Sequence, residues 1–254
     1  MTKDEKTKIS TLRDYKVVKS NDLIQKSRFE LSLQEQKIIL FLISKIKPND
    51  KEFEEYEFSI REFCRLCGID YDNGKNYKNV KDAIKKLSDK SLWVTLDTGK
   101  EVLLRWVTGA SVDEKSGMIK LCLHNFMKPY LLELQSRFTQ YGLVYILGMK
   151  SQYAVRLYEL LKSYEYRGRW LVEVDKLKKL LSAENYGRYV DFKRFVLEIA
   201  LREISELSDI HVDYEAIKSG RRYVKIEFKV RVKESQEQTT AWLSRESALS
   251  QKCD

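Results

Sequence analysis

Four cysteines and two histidines carry the most obvious metal and redox chemistry in this 254-residue chain. Cys64-x-x-Cys67 has the spacing of half a zinc site, and Cys122 and His124 would complete a four-ligand set. The two cysteines also fall on the apolar positions of a short helix with Ile60 and Phe63, where a thiol packs as a small hydrophobe. That packing reading is preferred. A metal-dependent nicking enzyme would need two closely spaced histidines and a tyrosine nucleophile. His124 and His211 stand far apart, with no HxH motif. No GxxxxGK[ST] phosphate loop occurs. The acids are dispersed among lysines rather than gathered into a carboxylate constellation. Tyr153, Tyr158 and Tyr164 have spacings that suit packing better than base stacking. The sequence thus predicts no catalytic residue, no metal and no cofactor.

What remains is charge. Lys and Arg number 47 against 38 Asp and Glu, a net +9, which favours a polyanionic partner where the cations cluster. They cluster between Lys218 and Lys233. Lys218, Arg221, Arg222, Lys225, Lys229, Arg231 and Lys233 face Glu227 alone. Gly220-Arg221-Arg222 marks a hairpin tip, so phosphate contact is expected from Lys218, Arg221, Arg222 and Lys225. The helix before this hairpin carries Phe192, Phe195, Val196, Leu197, Ile199, Ala200, Leu201 and Ile204, apolar over most of its circumference. Such a helix is predicted to be buried. DNA contact would then fall to its first turn and the preceding loop, through Arg188, Lys193 and Arg194. The competing reading pairs Arg188 and Arg194 with Glu184, Asp191 or Glu198. Upstream, six lysines between Lys75 and Lys90 oppose Asp82 and Asp89. Lys78, Lys81 and Lys85 are candidates for a second DNA-facing surface, or merely a solubilising face.

Two passes of similar elements position these residues. Ser32-Leu33-Gln34-Glu35 is a capping box opening a helix with Ile38, Ile39, Leu42, Ile43 and Ile46 at helical spacing, closed by Pro48. A short strand (54–58), a helix capped by Ser59 and stopped at Gly68, and a polar turn (70–76) follow. Next comes a helix with Val80, Ala83, Ile84 and Leu87 inward. Residues 92–96 and 102–107 read as a hairpin, 118–123 as a third strand and 126–134 as a helix. In the second pass Ser151 caps a helix with Ala154, Leu157, Tyr158 and Leu161 on one face. Then come a strand (170–174), a short helix capped by Asp175, a long helix (190–207), and a hairpin over Ile210–Tyr214 and Val224–Val232.

A helix-turn-helix closed by a hairpin, written twice, predicts an α+β chain of two tandem winged-helix domains related by pseudo-duplication. The expected division is a flexible segment 1–14, a first winged helix 15–136, a second 137–233 and a disordered tail 234–254. The longest apolar run, Ile38 to Ile43, is far short of the roughly 20 residues of a membrane helix. No apolar signal core follows Met1. The expectation is a soluble cytoplasmic chain with reduced thiols and no membrane partner.

Three segments resemble a known family. They are Val17-Val18-Lys19-Ser20-Asn21-Asp22-Leu23-Ile24 leading into Leu31–Lys37, the stretch Ser151-Gln152-Tyr153-Ala154-Val155-Arg156-Leu157-Tyr158-Glu159-Leu160-Leu161, and Phe192–Ile204 through Gly220-Arg221-Arg222 to Phe228. They resemble the plasmid replication initiators that bind iteron repeats as tandem winged-helix proteins, over about Val17 to Val232. Ser205 and Ile199 depart from the pattern, where Asn and Pro are frequent. Both were expected in the buried half of their helix. The resemblance implies a non-enzymatic initiator that binds direct repeats in double-stranded origin DNA. It also implies opening of AT-rich DNA, recruitment of a host initiator and replicative helicase, and a monomer–homodimer equilibrium. In that family the first unit dimerises and the dimer represses its own gene, while the second unit supplies the main sequence reading. A transcriptional repressor of the same fold is the alternative.

Overall fold

The computed structural model describes residues 15–67 and 74–250. The expected flexible segment 1–14, the helix stop at Gly68 and most of the polar turn before Gly74 lie outside the described residues. The chain begins with β1 (Lys16–Ser20), α1 (Asn21–Lys26) and the two-residue β2 (Ser27–Arg28). Next come α2 (Leu33–Ile43), β3 (Glu55–Ser59), α3 (Ile60–Leu66), α4 (Gly74–Asp89), β4 (Ser91–Thr95), β5 (Glu101–Arg105), β6 (Val107–Asp113) and β7 (Met118–Leu123). The capping box at α2 is complete: Glu35 N–H donates to Ser32 Oγ while the Glu35 carboxylate accepts from Ser32 N–H. Ser59 accepts from Glu62 N–H and caps α3. Val80, Ala83, Ile84 and Leu87 are buried along α4.

The middle of the chain departs from expectation. Residues 126–134 were expected to be one helix. They form a 3-10 turn (Asn125–Met127) and the four-residue α5 (Lys128–Leu131). The left-handed backbone of Glu133 (φ 49°) and Arg137 (φ 54°) turns the chain into β8 (Phe138–Gly142). Strand β8 pairs antiparallel with β1, Lys16 against Gly142 through Ser20 against Phe138. This ladder crosses the boundary expected near residue 136. α6 (Val144–Leu147) leads into α7 (Gln152–Tyr164), whose cap is the Ser151 hydroxyl, accepting from Tyr153 and Ala154 N–H.

In the second unit β9 (Arg169–Glu173) and α8 (Val174–Leu180) follow. The cap of α8 is Glu173, and Asp175 instead lies in its first turn. The long helix of this unit is broken into α9 (Tyr189–Phe192), a π-turn (Lys193–Leu197) and α10 (Glu198–Leu207). β10 (Ile210–Ser219) and β11 (Arg222–Val232) form the wing. The expected disordered tail instead opens with the helix α11 (Ser235–Ser250), anchored where Ala241 is buried.

The duplication is approximate. In the second unit the three-stranded sheet runs β10-β11-β9, so the strand after the first helix pairs with the wing. In the first unit β3 pairs with β7 in a β3-β7-β6 sheet, while the hairpin β4–β5 pairs with β2. The difference arises because 107–113 is a separate strand, which the sequence analysis did not recognise. One hydrophobic core runs through both units. In the first unit Phe41 meets Phe58 edge-on at 5.1 Å, and in the second Trp170 stacks on Phe228 at 5.7 Å.

Between the units lies a buried polar cluster. Lys19 Nζ donates to Glu159 Oε1 at 2.6 Å, and Tyr141 Oη donates to the same oxygen at 2.5 Å. Arg156 Nη2 donates to the carbonyls of Ile24 (2.8 Å) and Ser27 (3.0 Å), and its Nε to Leu180 O (3.2 Å). Arg156 thereby ties α1, β2 and the end of α8 to α7. Burial lowers the Lys19 pKa against the opposing pull of Glu159, and burial raises the Tyr141 phenol well above its usual value.

Candidate nucleic-acid interface

The wing of the second unit is set by local chemistry. Val230, Phe228 and Ile226 turn into the core while Lys225, Lys229 and Arg231 face outward. Ser219 and Arg222 pair across the turn, where Gly220 adopts φ 58°. Left-handed backbone is natural to glycine, so the tip presents Arg221 and Arg222 to solvent.

The cations counted in the sequence divide by environment. Arg221, Arg222, Lys218, Lys225 and Lys229 are exposed. Arg231 forks onto Glu237 of α11 at 2.7 and 2.9 Å. Lys233 is buried and donates to Ser208 O at 2.8 Å and to Ser205 O, closing the C-terminal end of α10. Lys233 is therefore the one buried cation of the seven counted in this segment.

The wing is braced against the start of the long helix. Tyr189 stacks on Tyr223 of β11 with ring centroids 4.2 Å apart, and Lys218 Nζ sits 4.7 Å over the Tyr223 ring. Burial pushes the Tyr189 phenol up to about 12. The sequence analysis missed this pair. Its only signal was two tyrosines flanking the cationic segments.

Arg188 occupies the cap of α9 with extended backbone (φ −79°, ψ 140°) and forks onto Asp191 at 2.7 and 3.0 Å. Its guanidinium holds the Asp191 carboxyl below the usual range. Such an exposed pair is weak. Lys193 lies 3.5 Å from Glu198. Arg194 is exposed and packs over Phe195 at 5.1 Å, which in turn stacks on Tyr186 at 6.3 Å. Among the described residues no acid stands at ion-pair distance from Arg194. Of the pairings considered in the sequence, only Arg188–Asp191 forms, since Glu184 engages Arg28 and Glu198 engages Lys193.

The long helix is not apolar all round. Phe195 is 45% exposed, and Ile199 and Leu201 are only half-buried. Phe195 lies within the π-turn Lys193–Leu197, and Ile199 and Leu201 in the α-helix that follows it. Ser205, expected to be buried, is exposed. The outer side of α10 carries Glu198, Arg202 and Glu206, all exposed. Glu203 is committed elsewhere, accepting from Lys150 and Ser151 N–H at 3.0 and 3.1 Å.

In the first unit Lys78 and Lys85 are exposed on α4, while Lys81 ion-pairs with Glu114 in the β6–β7 turn. Cys64 and Cys67 are buried in the core. His124 Nδ1 accepts from Phe126 N–H at 3.2 Å, and His211 lies 3.4 Å from Asp213. No helix among the described residues is long and apolar enough to cross a membrane.

Replacing Arg222 with alanine is expected to weaken binding to every DNA sequence and flatten the log-affinity against log-salt slope by about one unit. An unchanged slope would take Arg222 off the phosphate contacts.

Comparison with known proteins gives matches over nearly the whole chain. The family described as "Initiator Replication protein, WH1" matches residues 16–162, and "Initiator Rep protein, WH2" matches residues 173–230. An uncharacterized 27.6 kDa protein of Escherichia coli is 21% identical over 221 residues, 81% of this chain and 91% of that protein. The PI protein of Escherichia coli is 28% identical over 153 residues, 53% of this chain and 49% of that protein. The crystal structure of Pi initiator protein in complex with iteron DNA superposes with a TM-score of 0.72 at 21% identity, covering 88% of this chain and 99% of the other.

Proposed function

Because this chain belongs to the Rep initiator replication protein family, with both its WH1 and WH2 domains matched, we propose that it starts plasmid replication by binding direct repeats (iterons) in double-stranded origin DNA. The observation that carries this is the second unit's basic edge. The glycine turn holds Arg221 and Arg222 forward, and the Tyr189–Tyr223 stack joins the wing to the helix start bearing Arg188, Lys193 and Arg194. Wing cations hold phosphates while the helix start reads base edges, the division of labour of winged helix-turn-helix proteins.

In this reading Arg188, Lys193, Arg194, Lys218, Arg221, Arg222 and Lys225 form the main contact. Lys78 and Lys85, with Lys81 once released from Glu114, form an auxiliary one on the first unit. Binding strains the adjacent AT-rich duplex, and the host initiator and replicative helicase load there. The first unit also forms a homodimer, in equilibrium with the monomer, that represses the protein's own gene. The work is done in the cytoplasm and by binding alone, without a catalytic group.

Footprinting on the DNA flanking its gene, across a salt series, tests the proposal. Evenly spaced protected direct repeats beside an AT-rich stretch are expected, with protection fading as salt rises. A single inverted repeat over a promoter, or no protection at low salt, would overturn it.

A further inference from the structure

Val190 is 65% exposed, although on the same turn Tyr189 packs against the core and Phe192 is buried in it. It stands at the start of the continuous helical stretch Tyr189–Leu207, two residues after Arg188 and four before Arg194. Arg188 and Arg194 are exposed as well. Residues four apart on a helix are neighbours, so Val190 and Arg194 share its outer side. Single exposed apolar residues are ordinary on protein surfaces. One set among the cations of the proposed contact asks for a different account.

The fold itself does not call for valine here. Its branched Cβ makes it a weaker helix former than alanine, and at this exposure it contributes little buried area. The same branching fixes its direction. In a helix valine keeps essentially one side-chain rotamer, so its two methyl groups lose little freedom on making a contact. The cations beside it would bring the polyanion close. In the major groove of DNA the apolar feature is the C5-methyl of thymine, and apolar side chains recognise it.

We infer that Val190 reads the methyl group of a thymine in the bound sequence, beside the guanine edge suited to Arg194. Val190 and Arg194 are about 6 Å apart along the helix, which is about two base steps of 3.4 Å. The thymine is therefore expected within two base pairs of that guanine. Arg194 discriminates through its paired donors, and Val190 through shape and the removal of water from the methyl. The inference deepens the proposed function. It rests on DNA reading by the second unit, but not on what the bound DNA is used for.

The test is titration of the full chain on duplexes of the footprinted sequence, with each thymine in turn replaced by deoxyuridine. That replacement removes the methyl and leaves every hydrogen-bonding group in place. Wild type is expected to lose affinity about fourfold at such a thymine, the worth of one buried methyl-sized group. Val190→Ala is expected to bind the unmodified duplex about fourfold more weakly and to ignore deoxyuridine at that position. Its affinity for random duplex and its salt slope should match wild type, because no charge is lost. Displacement of the whole basic edge would move both, and circular dichroism checks the fold of each variant. A wild type indifferent to every deoxyuridine would overturn the inference, as would a Val190→Ala chain that keeps the same sensitivity. If Phe195→Ala abolishes the sensitivity and Val190→Ala does not, the methyl contact belongs to Phe195 and the inference fails. The scan is run on whichever sequence is protected. Direct repeats with no Val190-dependent thymine overturn this inference alone, and an inverted repeat that has one overturns the initiator reading alone. No protection at low salt overturns both.

Discussion

Substituting Glu159 with alanine is expected to destabilise the protein by about 3–5 kcal/mol, the range found when one partner of a buried ion pair is removed. The Lys19 ammonium is 1% exposed and Glu159 is 2% exposed. Glu159 also accepts the Tyr141 hydroxyl at 2.5 Å, and Arg156 Nη1 lies 3.9 Å away. Without the carboxylate, two cations remain buried with no counter-charge, and a phenol loses its acceptor. Pairing the change with Lys19→Met removes one of those cations. The double variant should therefore recover part of the loss but not all, because Arg156 stays. Urea unfolding of the three variants measures this, with a shift in midpoint at constant slope. A loss below about 1 kcal/mol for Glu159→Ala would mean that the cluster relaxes to water, which is the behaviour of a surface pair. The consequence reaches beyond stability. α7 is held to β1 through Glu159 and to α1 and β2 through Arg156, so the cluster fixes β1, α1 and β2 against α7.

Replacing Arg194 with alanine is expected to cost about 1–3 kcal/mol on the specific repeat and much less on random DNA. The other two cations of the helix start are partly engaged, Arg188 by Asp191 and Lys193 by Glu198. Arg194 instead rests on Phe195, itself stacked on Tyr186, which narrows the directions its guanidinium samples. A planar fork held this way suits the two acceptors of a guanine edge. Arg194→Lys keeps the charge but loses the fork, so it should lose specific affinity while retaining non-specific affinity. Titration of both variants on repeat and random duplexes decides the point. Equal losses on the two DNAs would make Arg194 a backbone-positioning contact.

Much of this molecule is legible from short stretches of sequence. The capping box at Ser32 and the hydroxyl cap at Ser59 mark helix starts because the cap and its N3 partner are three residues apart. The alternation from Val224 to Val230 identifies the wing strand, and Gly220 identifies its tip. Each rests on a period or hydrogen bond closed within a turn or two of backbone. The same local logic missed the strand at Val107–Asp113, which is short of large apolar residues and is defined by its partner β7. It also overcounted the wing's exposed cations, because Lys233 is buried and donates to the carbonyls of Ser205 and Ser208 at the end of a helix earlier in the chain.

By itself the sequence determined two winged-helix units, a basic wing and the cationic start of the helix beside it. All of these are set by neighbours in the chain. Only the tertiary structure decided which cations remain available, that β1 closes on β8 across 118 residues between Ser20 and Phe138, and that β3 joins β7 rather than the hairpin beside it. It also decided that Phe195, within the π-turn, is half-exposed and stacked on Tyr186. These depend on burial and on hydrogen bonds between distant segments, where the cost of an unpaired buried charge or backbone group selects among arrangements that local propensity leaves equal.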